Sequence, residues 1–325
     1  MIDNKHLKPE LLIVASRGNT IERLHYGWLC IINKDLKIIY KRGNVFNKAF
    51  LRSSAKPIQA LPVIENNIEV SDNELAIICA SHSASRQHLR ILTKLMKRTN
   101  ITLLDLHCGS HSPTDEDEKN NLVLKNLSPT PLHNNCSGKH LGMLAVCKKK
   151  GWNIKNYTSS NHPLQKAILK RIEELSETKD INIAIDGCSL PTLALPIRNI
   201  AVMFSNFIQE PNKNYKRIIK AMTTHPYLIG GINQLDSEII KNSNGKLLAK
   251  VGAEGIIIVA YKGNSLVVKI ADGSQQVRSF TTLKILTKLG WLKRNDIKNS
   301  ILEEILTGEI KNHNGVTIGK LEFVN

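Results

Sequence analysis

The order in which hydrophobic periodicities follow one another constrains this chain most. Near the start, residues 11–15, 25–33 and 36–41 are β-rich and alternate in polarity, with a polar Lys34-Asp35 turn between the last two. A period of two sends successive side chains to opposite faces of an extended strand, so this stretch predicts a hairpin. The signal returns late in the chain at 246–251, 255–261 and 266–271, joined by short turns such as Lys262-Gly263-Asn264, and again at 316–324. Between the two ends the period becomes helical. Residues 162–177, 193–207 and 215–223 read as helices, 181–185 as a short buried strand, and 275–289 as a long helix covering the late strands. Strands at both ends with helices between them predict an α/β (α+β) fold: a central antiparallel sheet completed by both chain ends, flanked by helices, with a helical subdomain inserted in the middle. No linker, repeat or low-complexity segment interrupts this plan, so residues 1–325 read as one domain.

Local signals place the boundaries. Lys56-Pro57 reads as a helix start, because proline is tolerated in a first turn. Ser71 with Glu74 forms a capping box before the apolar run 75–80, and Ser85 caps a helix to about residue 99. Ser81-His82-Ser83 is the turn between these two helices. Residues 105–140 lack periodicity and are rich in Asn, Ser, Pro, His and Gly, which predicts long ordered loops of the kind that carry function.

Composition removes several classes. A chain of 325 residues with 42% hydrophobic content can fill a sizeable core. No stretch approaches the about 20 apolar residues of a membrane helix, and residues 1–10 are too polar for a signal peptide, so a cytoplasmic protein with no membrane partner is expected. Its six cysteines, Cys30, Cys79, Cys108, Cys136, Cys147 and Cys188, are too sparse for a disulfide framework and are expected to be reduced. The formal charge of +17 raises the possibility of nucleic-acid binding. Yet the lysines are spread thinly, with Lys148-Lys149-Lys150 the densest run, and no binding motif accompanies them. The charge is read as a solvated basic surface, with no nucleic-acid partner.

Arg52-Ser53-Ser54-Ala55-Lys56-Pro57 contains a Ser-x-x-Lys spacing at a loop-to-helix junction. Residues three apart share a helix face, so Ser53 and Lys56 can meet while Ser54 points elsewhere. A lysine acts as a base only when neutral, which burial and a neighbouring cation favour. The ordinary meaning of this spacing is a helix cap followed by a solvated lysine. Two further segments shift the balance. Lys250-Val251-Gly252 ends a late strand and resembles the Lys-Thr/Ser-Gly strand of β-lactamases and penicillin-binding proteins, and Ser81 lies in an inter-helix turn where those enzymes carry a serine loop.

A second focus is Asn134-Asn135-Cys136-Ser137-Gly138-Lys139-His140 together with Asp186-Gly187-Cys188. Isolated cysteines are usually core residues. These two occupy polar, Gly-containing turns and could offer thiolates to zinc, with Lys139 or His140 nearby, although no Cys-x-x-Cys spacing is present. Six of the eleven histidines (82, 88, 107, 111, 133 and 140) fall in this part of the chain. One or two of them are expected in a site, and the rest in loop hydrogen bonds.

Taken together, the segments 52–60, 79–83, 107–111, 135–140, 186–192 and 250–253 resemble, nearly end to end, the rhizobial-type L-asparaginases, also called the thermolabile or asparaginase II family. The resemblance implies a fold similar to serine β-lactamases and class A glutaminases. It implies two Ser-Lys pairs, Ser53 with Lys56 and Ser81 with Lys250, in which the two lysines lower one another's pKa. It also implies a zinc held by Cys136, Cys188 and a neutral Lys139, with Asp186 close by through water. Arg52, Asp186 and His140 would bind substrate, and the protein would be a homodimer. Some members carry a third cysteine near the metal, where this chain has Asp236. The expected reaction is hydrolysis of the side-chain amide of L-asparagine by Ser53, with Lys56 as base and with Ser81 and Lys250 relaying protons to the leaving amine. Glutaminase or β-lactam hydrolysis is the alternative within the same machinery, and a basic binding protein the alternative outside it.

Overall fold

The computed structural model describes residues 7–324. The chain opens with β1 (Glu10–Arg17), β2 (Thr20–Ile32) and β3 (Ile38–Arg42), then a short β4 (Lys48–Phe50). A 3-10 turn over Arg52–Ala55 leads into α1 (Lys56–Gln59) and α2 (Leu61–Glu65), followed by α3 (Asp72–Ile78), α4 (Arg86–Arg98), α5 (Glu116–Leu124), α6 (Ser137–Lys150) and α7 (Pro163–Ser176). Next come β5 (Asn182–Ile185), β6 (Pro191–Pro196), α8 (Ile197–Gln209), α9 (Lys213–Thr224), α10 (Pro226–Gly230) and α11 (Leu235–Asn242). The chain closes with β7 (Leu248–Gly252), β8 (Ile256–Tyr261), β9 (Asn264–Ile270), α12 (Gln275–Lys288), α13 (Ile301–Thr307), β10 (Glu309–Lys311) and β11 (Thr317–Phe323).

The main sheet is antiparallel throughout, in the order β10-β11-β1-β2-β9-β8-β7, with β3 also paired to β2. The first and last strands meet towards one side of it, where β1 pairs with β11 from Ile13↔Phe323 to Arg17↔Gly319. The expected mixed α/β architecture is therefore present. The most apolar strand, β8, is buried from Ile256 to Ala260, and α8 and α12 both pack against it, which is why its sequence is a continuous apolar run and not an alternation. Helices α2, α3, α4, α6 and α9 pack on one another as the inserted helical part.

The helix ends follow their caps. Ser71 accepts from Glu74 N while Glu74 accepts from Ser71 N, closing the capping box of α3. Ser85 caps α4 with His88 as the returning partner. Helix α6 stops at Gly151, whose φ of 64° a residue with a Cβ adopts only at a cost.

Three expectations need correction. The segment from residue 193 is strand as far as Pro196, because Leu193 and Ala194 pair with β5 and β4 in a separate three-stranded sheet of order β4-β6-β5, and the helix starts only at Ile197. Residues 182–185 do form a strand, but it is an edge strand and mostly exposed. Residues 105–140 are not all loop, since α5 lies among them and α6 begins at Ser137.

Candidate active site

Three chain segments build the site around Lys56. The 3-10 turn bearing Ser53 packs on β7, and Leu51 N bonds Leu193 O at 2.9 Å, so the turn is fixed between the two sheets. Arg52, just before Ser53, has φ 49°, a left-handed conformation that a non-glycine residue adopts at some cost. Gly252 explains the Lys-x-Gly pattern of β7. A Cβ there would lie 2.8 Å from Leu51 O and 2.5 Å from Ile256 Cγ2, so only glycine lets the strand close on the Ser53 turn.

Lys56 is fully buried. Its Nζ reaches Ala80 O at 2.6 Å, Ser81 Oγ at 3.0 Å and Asn135 O at 3.2 Å. Burial lowers its pKa to about 8, Cys136 opposing this and Lys139 and Lys250 assisting. A neutral amine has two N–H donors and one lone pair. As an ammonium Lys56 donates to all three oxygens; once it is neutral, its two N–H groups can stay on the carbonyls and its lone pair faces the Ser81 hydroxyl. Both serines are half-buried, and although Lys56 N donates to Ser53 O, among the described residues no hydrogen bond joins the Ser53 hydroxyl to the Lys56 amine. Lys56 is therefore paired with Ser81 in this structure, where the sequence predicted Ser53.

Lys250 departs further from expectation. Its Nζ lies 2.6 Å from Asp236 Oδ2, both side chains having no exposure, and also donates to Val251 O at 3.3 Å. Asp236 Oδ2 accepts Val251 N as well, at 3.1 Å, and Oδ1 accepts Ser237 N at 3.0 Å. The Asp236 carboxyl is held below its usual range: burial pushes it up, but the Lys250 ammonium and these hydrogen bonds outweigh burial. The expected Ser81–Lys250 pair is thus replaced by a Lys250–Asp236 ion pair. The sequence singled out Asp236 only as a missing thiol, because a helix residue and a strand residue of opposite charge carry no signal of their pairing until the fold brings α11 onto β7.

The Cys136 and Cys188 turns meet beside these lysines. The two thiols lie within hydrogen-bonding reach of each other. The interaction with Cys188, together with Lys56 and Lys139, holds Cys136 well below the usual thiol range against its burial, while Cys188 is pushed up. Lys139 Nζ donates to Cys188 Sγ at 3.5 Å. Burial pulls the Lys139 pKa down, but the two sulfurs and Asp186 more than offset this and the group stays charged. Two buried sulfurs and one amine converging on a polar turn suit a borderline-soft cation, provided the metal displaces the Lys139 proton. Among the described residues no group of three or more His, Cys, Asp or Glu side chains is placed to hold a metal, so the amine is an essential member of any such set.

Asp186 does not point at Lys139 alone. It accepts Arg52 Nε at 2.7 Å and its own neighbour Gly187 N at 2.9 Å. In the same loop, Ser189 has φ 69°. Arg52 and Asp186, both partly exposed, form a charged pair beside Ser53 that can read a zwitterion. His140 is fully buried, with Nδ1 2.6 Å from Tyr157 OH and Nε2 without a partner, so its ring is fixed from the far side by a tyrosine that no motif marked. His82 binds Ser137 Oγ at 3.0 Å and Ala84 N at 3.2 Å, which ties the Ser81 turn to the start of α6.

Comparison with known proteins decides the family. The L-asparaginase II family matches residues 13–323, nearly the whole chain. The chain belongs to the L-asparaginase II family. It is an asparaginase-type amidohydrolase acting on amide C–N bonds, and its substrate is a small molecule. No curated protein matches it. Among solved structures, a β-lactamase from Mycobacterium bovis aligns over 81% of this chain and 94% of its own, at 11% identity and a TM-score of 0.41. That overlap is too loose to transfer chemistry. No helix among the described residues is long and apolar enough to cross a membrane.

Proposed function

We propose that this family member hydrolyses the side-chain amide of L-asparagine to L-aspartate and ammonia, with Ser53 as nucleophile and Lys56 as base. The observation that carries this reading is the fully buried Lys56, its pKa brought down to about 8, at the junction of the Ser53 turn and the Ser81 turn. A neutral amine there can take the Ser53 proton as the hydroxyl oxygen attacks the amide carbon. Ser81, bonded to Lys56, then gives its proton to the leaving amine and recovers one from Lys56, so ammonia departs and an aspartyl ester remains on Ser53. Water, activated by the same amine, hydrolyses the ester. Lys250 is a fixed counter-charge bound to Asp236 in this scheme and does not relay protons.

Arg52 and Asp186 would engage the α-carboxylate and α-amino groups, with the expected His140 contact made through its free Nε2. A zinc ion, if bound, would be held by Cys136, Cys188 and the amine of Lys139, and would supply positive charge on the substrate side of the site. Removing it with a chelator should then raise KM more than it lowers kcat. Homodimerisation belongs to the same proposal and is read by light scattering.

A second reading makes Ser81 the nucleophile, and the 3.0 Å contact with Lys56 favours it. Substrate is tested by ammonia release from Asn and Gln, with a chromogenic β-lactam as a third compound. Turnover of Asn well above both others is expected. Preference for Gln or for the β-lactam would overturn the substrate assignment.

A further inference from the structure

A cleft of about 410 Å3 opens where the start of α11, the first turns of α12, α13 and β10 meet, and no residue of the Ser53, Ser81 or cysteine turns lines it. Arg278, in the first turns of α12, is on its wall. That side chain is only 6% exposed, and its Nε is buried without a partner. Among the described residues its guanidinium makes one hydrogen bond, a long one of 3.4 Å from Nη1 to Gly252 O.

Charge counting shows what is missing. The buried carboxylate that acts on Arg278 is Asp236, but both of its oxygens are taken, by Lys250 Nζ, Val251 N and Ser237 N. Two buried cations therefore share one buried anion, and a guanidinium left in that state is costly. The other charges on the wall do not repair this. Glu304 is exposed and makes no ion pair with Arg278, and Glu309 is paired with Lys311 at 3.3 Å. Gln275, Gln276 and Ser279 add amide and hydroxyl groups to the same wall, and α12, 14 residues long, turns the positive end of its dipole to this side.

We propose that this cleft is a binding site for a small carboxylate anion, which pairs with Arg278. The part of the guanidinium that lines the cleft takes the carboxylate, whose charge offsets that of the buried Nε side, and the glutamine amides take the remaining lone pairs.

Malonate is the probe. It is titrated into the full chain by calorimetry, while the arginine Nε–H resonances are followed in a 15N-labelled sample. The expected result is saturable binding with a shift of the Arg278 Nε–H signal, an affinity within about twofold of wild type in Arg52→Gln, and a loss of at least about tenfold in Arg278→Gln. The Arg52 variant separates this site from the proposed substrate pocket. Absence of saturable binding overturns the proposal, as does any pattern other than retention in Arg52→Gln with loss in Arg278→Gln. If Arg278→Gln does not fold, the wild-type resonance decides: a malonate-dependent shift supports the site, and an unmoved Arg278 signal overturns it.

Discussion

At the scale of residues, the site depends on bringing one lysine's pKa down to about 8 and pairing another with a carboxylate. Lys56 is buried among carbonyls with no carboxylate bonded to it, whereas Lys250 is buried against Asp236. The same side chain therefore has two roles set by its surroundings. If Lys56 is the base, kcat/KM for asparagine should rise with pH through about 8, because only the deprotonated amine accepts a proton and the folded pKa lies there. A pH–rate profile flat between pH 6 and 9 would contradict it. Lys56→Ala should lower kcat by roughly 10^2–10^4, the usual range for a general base. Asp236→Asn leaves the Lys250 ammonium buried and unpaired, so chemical denaturation should show a loss of about 3–5 kcal/mol. An unchanged midpoint would mean that the pair does not bear on stability. These partnerships are the part of the site least legible in the sequence. Ser53, Lys56, Ser81, Lys250, Cys136, Lys139, Cys188 and Asp186 could all be picked out by motif. Which hydroxyl faces which amine depends on where the backbone carbonyls of Ala80 and Asn135 fall, and carbonyl positions leave no mark on residue identity.

At the scale of elements, capping and glycine chemistry explain why the segments meet. The Ser71–Glu74 box and the Ser85 cap were visible in the sequence because each uses a fixed local spacing. The β4-β6-β5 sheet was not visible, because its strands are short and Leu193-Ala194-Leu195 runs directly into a helical pattern. Gly252→Ala tests the contact between β7 and the Ser53 turn. Its methyl group would press on Leu51 O and Ile256, so a stability loss of roughly 1–3 kcal/mol is expected, together with reduced kcat as the turn is displaced. Full activity in this variant would show that the turn is not braced by the strand. Helix α4 carries a titratable cap: His88 is held at about 4 by burial, against hydrogen bonds that favour its charged form. A lowered folded pKa means that the unfolded chain takes up the proton first. The stabilisation is complete above pH 6.5 and disappears as pH falls from there towards about 4, an effect of about 3 kcal/mol. Denaturation of wild type and His88→Gln at pH 7 and pH 5 checks this. The pH-dependent part should shrink in the variant.

At the scale of the whole molecule, the plan of strands at both ends and helices between was readable from periodicity alone, because pairing β1 with β11 requires only that each have one buried face. The closure of the sheet places β7 and its Lys250 beside the first helices, and so brings residues from the Ser53, Ser81, Cys136, Asp186 and Lys250 segments into one site. The central claim is that this assembly makes Ser53 the group that carries the acyl intermediate. Rapid quench of the protein with L-asparagine, followed by proteolysis and mass spectrometry, reads the modified residue directly. The account predicts an aspartyl ester on the peptide containing Ser53, absent in Ser53→Ala. An ester on the Ser81 peptide, or undiminished ammonia release by Ser53→Ala, would contradict it.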